Sequence, residues 1–142
     1  MSDLERAKQL LKDEGYTCVL CLGESVRTSM KRGVAPMVEW IENGVSLQGY
    51  SAADKVIGKA AAMLFVLAGV SSVYSEVMSR TADEFLTHNG VEHSYGTLTD
   101  TIINRRGDGP CPMEQLTSDM NDAAEAYEAI RNKLVELRKE ST

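Results

Sequence analysis

Residues 51–78 read SAADKVIGKAAAMLFVLAGVSSVYSEVM, and this stretch decides the fold class of the chain. The segment from Ser51 to Ala68 predicts a helix, because Ser51 and Asp54 are spaced like an N-terminal capping box and Gly69 follows as a stop. The second half of this segment is apolar on every side, which is typical of a buried helix. The valine-rich segment Val70 to Met78 then predicts a short buried strand.

The flanking sequence continues the alternation of helical and strand-like patterns. Strand–helix–strand units around residues 70–95 indicate parallel strands joined by right-handed crossovers. The chain therefore predicts an α/β fold, a three-layer α/β/α sandwich with a mixed sheet. The other expected elements are helices over 2–15, 36–44 and 81–90 and from Asp122 onward, and strands over 16–22, 26–30, 91–95 and, at an edge, 98–104.

Length and composition indicate one globular domain, since 142 residues with 43% hydrophobic and 25% charged side chains are ordinary values for that class. We expect an N-terminal helix over 1–15, an α/β core over 16–112 and a C-terminal helical segment over 113–142. The net charge of −6 opposes broad binding of nucleic acid. The N-terminus lacks a signal-peptide pattern and the longest apolar run, residues 60–68, falls short of the roughly 20 residues that span a membrane, so we expect a cytoplasmic protein that binds no membrane.

The chain contains three cysteines, two of which form a C-x-x-C motif. Cys18 and Cys21 lie within the predicted strand 16–22, where residues three apart point to opposite faces. Neither a disulfide nor a shared metal ion fits that geometry, so both thiols are expected to be buried and reduced. The sequence predicts no metal site and no cofactor.

Two lysines near the start of the predicted helix 51–68 suggest a site for an anion. Lys55 and Lys59 are four residues apart and would share one helix face, where like charges cost about 0.2–0.5 kcal/mol. A cation in the first turn also opposes the helix dipole, so the pair makes sense if an anion binds there. Gly58 leaves space at the same end. The alternative is that both lysines simply extend into solvent.

Two carboxylates could serve this site as proton carriers. Glu76 lies in the predicted strand 70–78, close to its carboxyl end, where α/β sheets bind ligands. A pairing with Lys55 or Lys59 would satisfy its charge, whereas the alternative is a strand-end glutamate that faces water. Asp54, next to Lys55, is the second candidate for moving protons.

The string GDGPCPME, residues 107–114, contains the third candidate group, a thiol. Its glycines and prolines hold Cys111 just before a predicted helix, where a thiol has a lowered pKa and becomes more nucleophilic. Asn104 and Arg105, at the start of the same loop, are predicted to bind the ligand. The alternative is a loop thiol that is merely packed.

Four strings of the chain resemble a prokaryotic family catalogued as domain of unknown function 1893. They are ADKVIGKA at 53–60, YSEV at 74–77, IINR at 102–105 and CPME at 111–114. The likeness runs from about Thr17 to about Leu134. It implies a cytidine-deaminase-like fold, in agreement with the α/β/α sandwich expected from the sequence pattern.

The motifs of zinc deaminases are nevertheless missing. Those enzymes need H-x-E on one helix and P-C-x-x-C on the next. Neither histidine here is followed by x-Glu, and Pro110-Cys111 has Glu114 where a second cysteine would stand. Deaminase activity therefore does not transfer with the fold.

Two functions remain as expectations. The first is binding of a small anionic metabolite or nucleotide, with thiol chemistry at Cys111. The second is a non-catalytic regulatory or protein-interaction domain on a deaminase scaffold. Whether the chain is an enzyme, and whether it forms a homo-oligomer, is left open by the sequence.

Overall fold

A computed structural model describes residues 1–103, 107, 109 and 111–140. Within them the chain forms a five-stranded sheet and six helices. The helices are α1 (Asp3–Glu14), α2 (Ala35–Glu42), α3 (Lys59–Ala68), α4 (Arg80–His88), α5 (Pro112–Thr117) and α6 (Ala123–Glu140). The strands are β1 (Cys18–Leu22), β2 (Ser25–Ser29), β3 (Ser51–Ile57), β4 (Ser72–Ser79) and β5 (Glu92–Thr99).

The sheet has the order β2-β1-β3-β4-β5 and is mixed. β1 is antiparallel to both of its neighbours, whereas β3, β4 and β5 run parallel. One face packs against α1 through a small core that includes Ala7, Leu11 and Ala53. The other face packs against the remaining helices through a large core centred on α3. The predicted α/β class with a mixed sheet between helical layers is confirmed.

The helix predicted over Ser51 to Ala68 is wrong in its first part. Residues Ser51–Ile57 form β3, which lies in the middle of the sheet, and α3 begins only at Lys59. The Ser51 hydroxyl accepts a hydrogen bond from the Ser72 hydroxyl at 2.9 Å instead of capping a helix. Alanine-rich sequence favours a helix locally, but pairing with β1 on one side and β4 on the other overrides that preference.

The start of α4 differs in a smaller way from the prediction. Its N-cap is Ser79, whose hydroxyl accepts from the Ala82 amide at 3.1 Å, so the helix begins at Arg80 and not at the predicted residue 81. The predicted ends of the first helix, at residues 2 and 15, are confirmed, since the Ser2 hydroxyl accepts from the Glu5 amide and Gly15 is left-handed. These ends are set by contacts within a few residues, which explains why sequence reasoning finds most of them.

The residue pairing between the three parallel strands is interrupted at one position in each strand. Their ladders pair regularly on either side but skip Lys55, Glu76 and Gly96, one residue in each strand. A Cβ atom on Gly96 would lie 2.9 Å from the carbonyl oxygen of Glu76, so this close approach requires glycine. On the carboxyl-terminal side of this interruption, the side chains of Ile57 and Met78 pack in the large core, just before β3 and β4 lead into α3 and α4.

Candidate functional site

A cavity of about 480 Å³ lies at the carboxyl ends of the parallel strands. Its walls come from the first turns of α3 and α4, from the segment that follows β5 and from α5. The lining residues are Lys59, Thr81, Asp100, Thr101, Ile102, Glu114, Gln115 and Ser118. This is the edge of an α/β sheet at which ligands commonly bind.

The N-terminus of α3 is capped by a carboxylate from a distant part of the chain. Glu114 of α5 accepts from the Lys59 amide at 2.7 Å and from the Ala60 amide at 3.1 Å. The two amides belong to the helix end that has no partner within α3 itself. The positive end of the α3 dipole therefore already holds an anionic group, which the protein supplies from its own sequence.

Gly58 makes this contact sterically feasible. A Cβ atom at Gly58 would lie 2.1 Å from Oε1 and 2.7 Å from Oε2 of Glu114. The space that the sequence assigned to a ligand beside Gly58 is thus filled by the Glu114 side chain.

Lys59 is the predicted anion-binding residue that the structure places on the cavity wall. It is the first residue of α3, and its Nζ donates to the carbonyl oxygen of Ser118 at 3.0 Å. An ammonium group has three N–H donors, and this contact uses one of them.

The first turn of α4 forms the opposite part of the wall. The Ser79 and Thr81 hydroxyls lie 3.1 Å apart at the helix start, where hydroxyl donors and the helix dipole favour an anion. Asp100 forms an ion pair with Arg80, with 2.5 Å between Oδ1 and Nε. The exposed ion pair connects the end of β5 to α4.

Lys55 lies on β3 rather than on a helix, so the prediction that it shares a helix face with Lys59 is wrong. Its side chain is exposed, and its backbone amide donates to the Thr17 carbonyl at 3.2 Å. Glu76 is half-buried at the neighbouring position of β4. Within the described residues, neither Lys55 nor Lys59 forms an ion pair with Glu76.

Asp54 is buried within the sheet and lies opposite Cys18 of β1 and Ser75 of β4. Burial raises the pKa of Asp54 to about 7, and hydrogen bonds from the Val56 amide, the Cys18 thiol and the Lys55 amide lower it in part. Burial also raises the pKa of the Cys18 thiol, and the neighbouring Asp54 raises it further. Asp54 is four strand residues away from Gly58, about 13 Å along an extended chain.

Cys111 is the N-cap residue of α5, as the sequence predicted for a thiol before a helix. Its amide donates to the Ile102 carbonyl at 2.9 Å, and its own carbonyl accepts from the Glu114 and Gln115 amides. The side chain is half-buried and packs against the large core. Cys111 is not one of the described residues that line the cavity. Asn104 and Arg105 lie outside the described residues.

Glu114 and Thr81 are the site residues that sequence reasoning missed. Glu114 belonged to the string that singled out Cys111, but nothing in the sequence indicated that it contacts residues 55 positions away. Only once α3 is known to begin at Lys59 does Gly58 become a signal, since a glycine directly before a helix leaves room for a capping group from elsewhere.

The described part of the chain contains neither a cluster of metal-ligating side chains nor a helix suited to cross a membrane. No three His, Cys, Asp or Glu side chains there cluster closely enough to hold a metal ion. None of the described helices combines the length and the apolar character that a membrane crossing requires.

Comparisons with known proteins agree with the resemblance seen in the sequence. The crystal structure of a DUF1893 family protein (TM1506) from Thermotoga maritima, at 2.70 Å resolution, superposes with a TM-score of 0.85. The two chains are 25% identical, and the match covers 94% of this chain and 91% of the other. No curated protein matches. The model of the TM1506 family, described as a domain of unknown function (DUF1893), matches residues 6–134, and the chain therefore belongs to this family.

Proposed function

We propose that the chain binds a small anionic molecule of nucleotide size in the cavity between α3, α4 and α5. The observation that carries this proposal is the cavity itself, whose volume of about 480 Å³ falls within the range of small-molecule sites. Its place at the carboxyl ends of parallel strands also supports the proposal.

The chemistry of the wall favours an anionic group near Lys59. Lys59, which carries an ammonium group, and Thr81, which carries a hydroxyl, both line the cavity. The carboxylates of Glu114 and Asp100 already have partners, the α3 amides and Arg80 respectively. A phosphate or carboxylate between Lys59 and the start of α4 would thus meet donors and a favourable helix dipole.

Binding of AMP, measured by titration calorimetry with adenosine as the uncharged comparison, tests this proposal. We expect AMP to bind more tightly than adenosine, and Lys59→Ala to weaken AMP by roughly 10-fold or more, since hydrogen bonds to charged groups contribute about 1.5–3 kcal/mol. Lys55→Ala is the matched variant, because Lys55 is exposed on β3, and we expect it to leave the affinity unchanged. Equal affinities for AMP and adenosine, or equal losses in the two lysine variants, would contradict the proposal.

Thiol chemistry stays a prediction. It has Cys111 as the reactive thiol and Glu76 or Asp54 as the proton carriers. The cytidine-deaminase-like relationship of the fold likewise stays a prediction.

One observation favours the alternative function, a regulatory or protein-interaction domain. Among the described residues, β5 pairs with β4 alone, so its outer edge presents backbone groups that another strand could bind. A chain of this kind would bind neither AMP nor adenosine, which separates the two functions in the same titration.

A further inference from the structure

α5 is held in place by contacts outside itself. It has only six residues, and a helix of that length has little stability of its own. Met113 anchors it in the large core, and Glu114 joins it to α3 through two backbone amides. A second tie runs from Lys59 Nζ to the carbonyl oxygen of Ser118, at the end of α5.

Gly58 indicates that the Glu114 contact is specific. The backbone at Gly58 has φ −98° and ψ −176°, an extended conformation that any residue adopts, so the backbone does not require glycine. What requires glycine is Glu114, because a Cβ atom would lie within 2.1–2.7 Å of its carboxylate atoms. The missing side chain at residue 58 thus serves a partner that is distant in sequence.

We propose that Glu114 is a latch that holds α5 as one wall of the cavity, and that breaking its contact with α3 opens the cavity. α5 and the residue that follows it contribute Glu114, Gln115 and Ser118 to the wall, so their displacement would widen the entrance. The importance of this movement for ligand entry rests on the proposed function, whereas the latch itself is testable without a ligand.

The alkylation rate of Cys111 by iodoacetamide reports on the latch. Cys111 is half-buried at the N-cap of α5, whereas Cys18 and Cys21 are fully buried and remain protected while the protein stays folded. Gly58→Ala removes the room for the carboxylate, so we expect faster alkylation of Cys111 by on the order of 10- to 100-fold, since two hydrogen bonds to a charged group are lost. Peptide mapping separates the three cysteines.

The control is Gly58→Ala in a protein that lacks the Glu114 carboxylate. Glu114→Ala alone should raise the rate as Gly58→Ala does. In the double variant, the methyl group at residue 58 has no carboxylate to displace, so we expect no further increase over Glu114→Ala. Additive effects of the two substitutions, or a Cys111 rate that neither changes, would overturn the proposal. Absence of AMP binding by the wild-type protein would overturn the proposed function and leave this result intact.

Discussion

At the scale of single residues, Asp54 is a carboxylic acid buried inside the sheet. Its folded-state pKa of about 7 lies above the ordinary 3.8, so the protonated carboxyl stabilises the fold and this contribution is lost as the pH rises through 7. We expect the Asp54 contribution to the free energy of unfolding to fall by about 4 kcal/mol between pH 4 and pH 8. Denaturation of wild type and Asp54→Asn at a series of pH values across this range measures this contribution to the free energy of unfolding.

The difference between the two proteins isolates Asp54 from the other titrating groups. Because asparagine does not ionise, we expect the variant to gain stability relative to wild type as the pH rises. Asp119→Asn, on an exposed turn, controls for the loss of one negative charge. Parallel stability curves for wild type and Asp54→Asn would contradict the prediction, because they would show that the pKa of Asp54 is the same in the folded and the unfolded protein.

At the scale of elements, α3 organises the large core and contacts α2, α4, α5 and α6. Leu64 on this helix is fully buried, whereas Leu67 is 37% exposed. We expect Leu64→Asp to destabilise the protein by about 4 kcal/mol or more, because it buries an unpaired charge. Leu67→Asp on the same helix should cost less than about 1 kcal/mol. Thermal melting of both variants compares them, and equal melting temperatures would contradict the position of α3.

At the scale of the whole molecule, the two edges of the sheet differ in how well they are protected. β5 has eight residues, with Glu92 as its one acidic or basic residue apart from His93, whereas the shorter β2 contains Arg27 and is soon followed by Lys31 and Arg32. Charged side chains discourage pairing of edges between molecules. We therefore expect self-association through β5. Light scattering at increasing concentration should show dimers for wild type and for Thr28→Lys on β2, but monomers for Thr97→Lys on β5.

The sequence by itself determined the parts of the structure that depend on local interactions. The caps of α1, the hairpin of β1 and β2, the short α2 and the final helix from Asp122 follow from side chains within a few residues of one another. The placement of Cys18 and Cys21 on opposite faces of a strand followed from a period of two. Such signals are complete within one segment, and no distant partner is needed to interpret them.

Only the tertiary structure decided the nature of residues 51–57 and the composition of the site. Alanine-rich sequence next to a true helix has helical propensity, and pairing with strands on both sides turned it into β3. Gly58 and Lys59 were singled out in the sequence as residues that meet a ligand, but the carboxylate that meets them in the structure comes from Glu114, 55 residues after Lys59. Contacts of this length depend on how the elements pack together, and a single sequence carries no periodicity or spacing that encodes them.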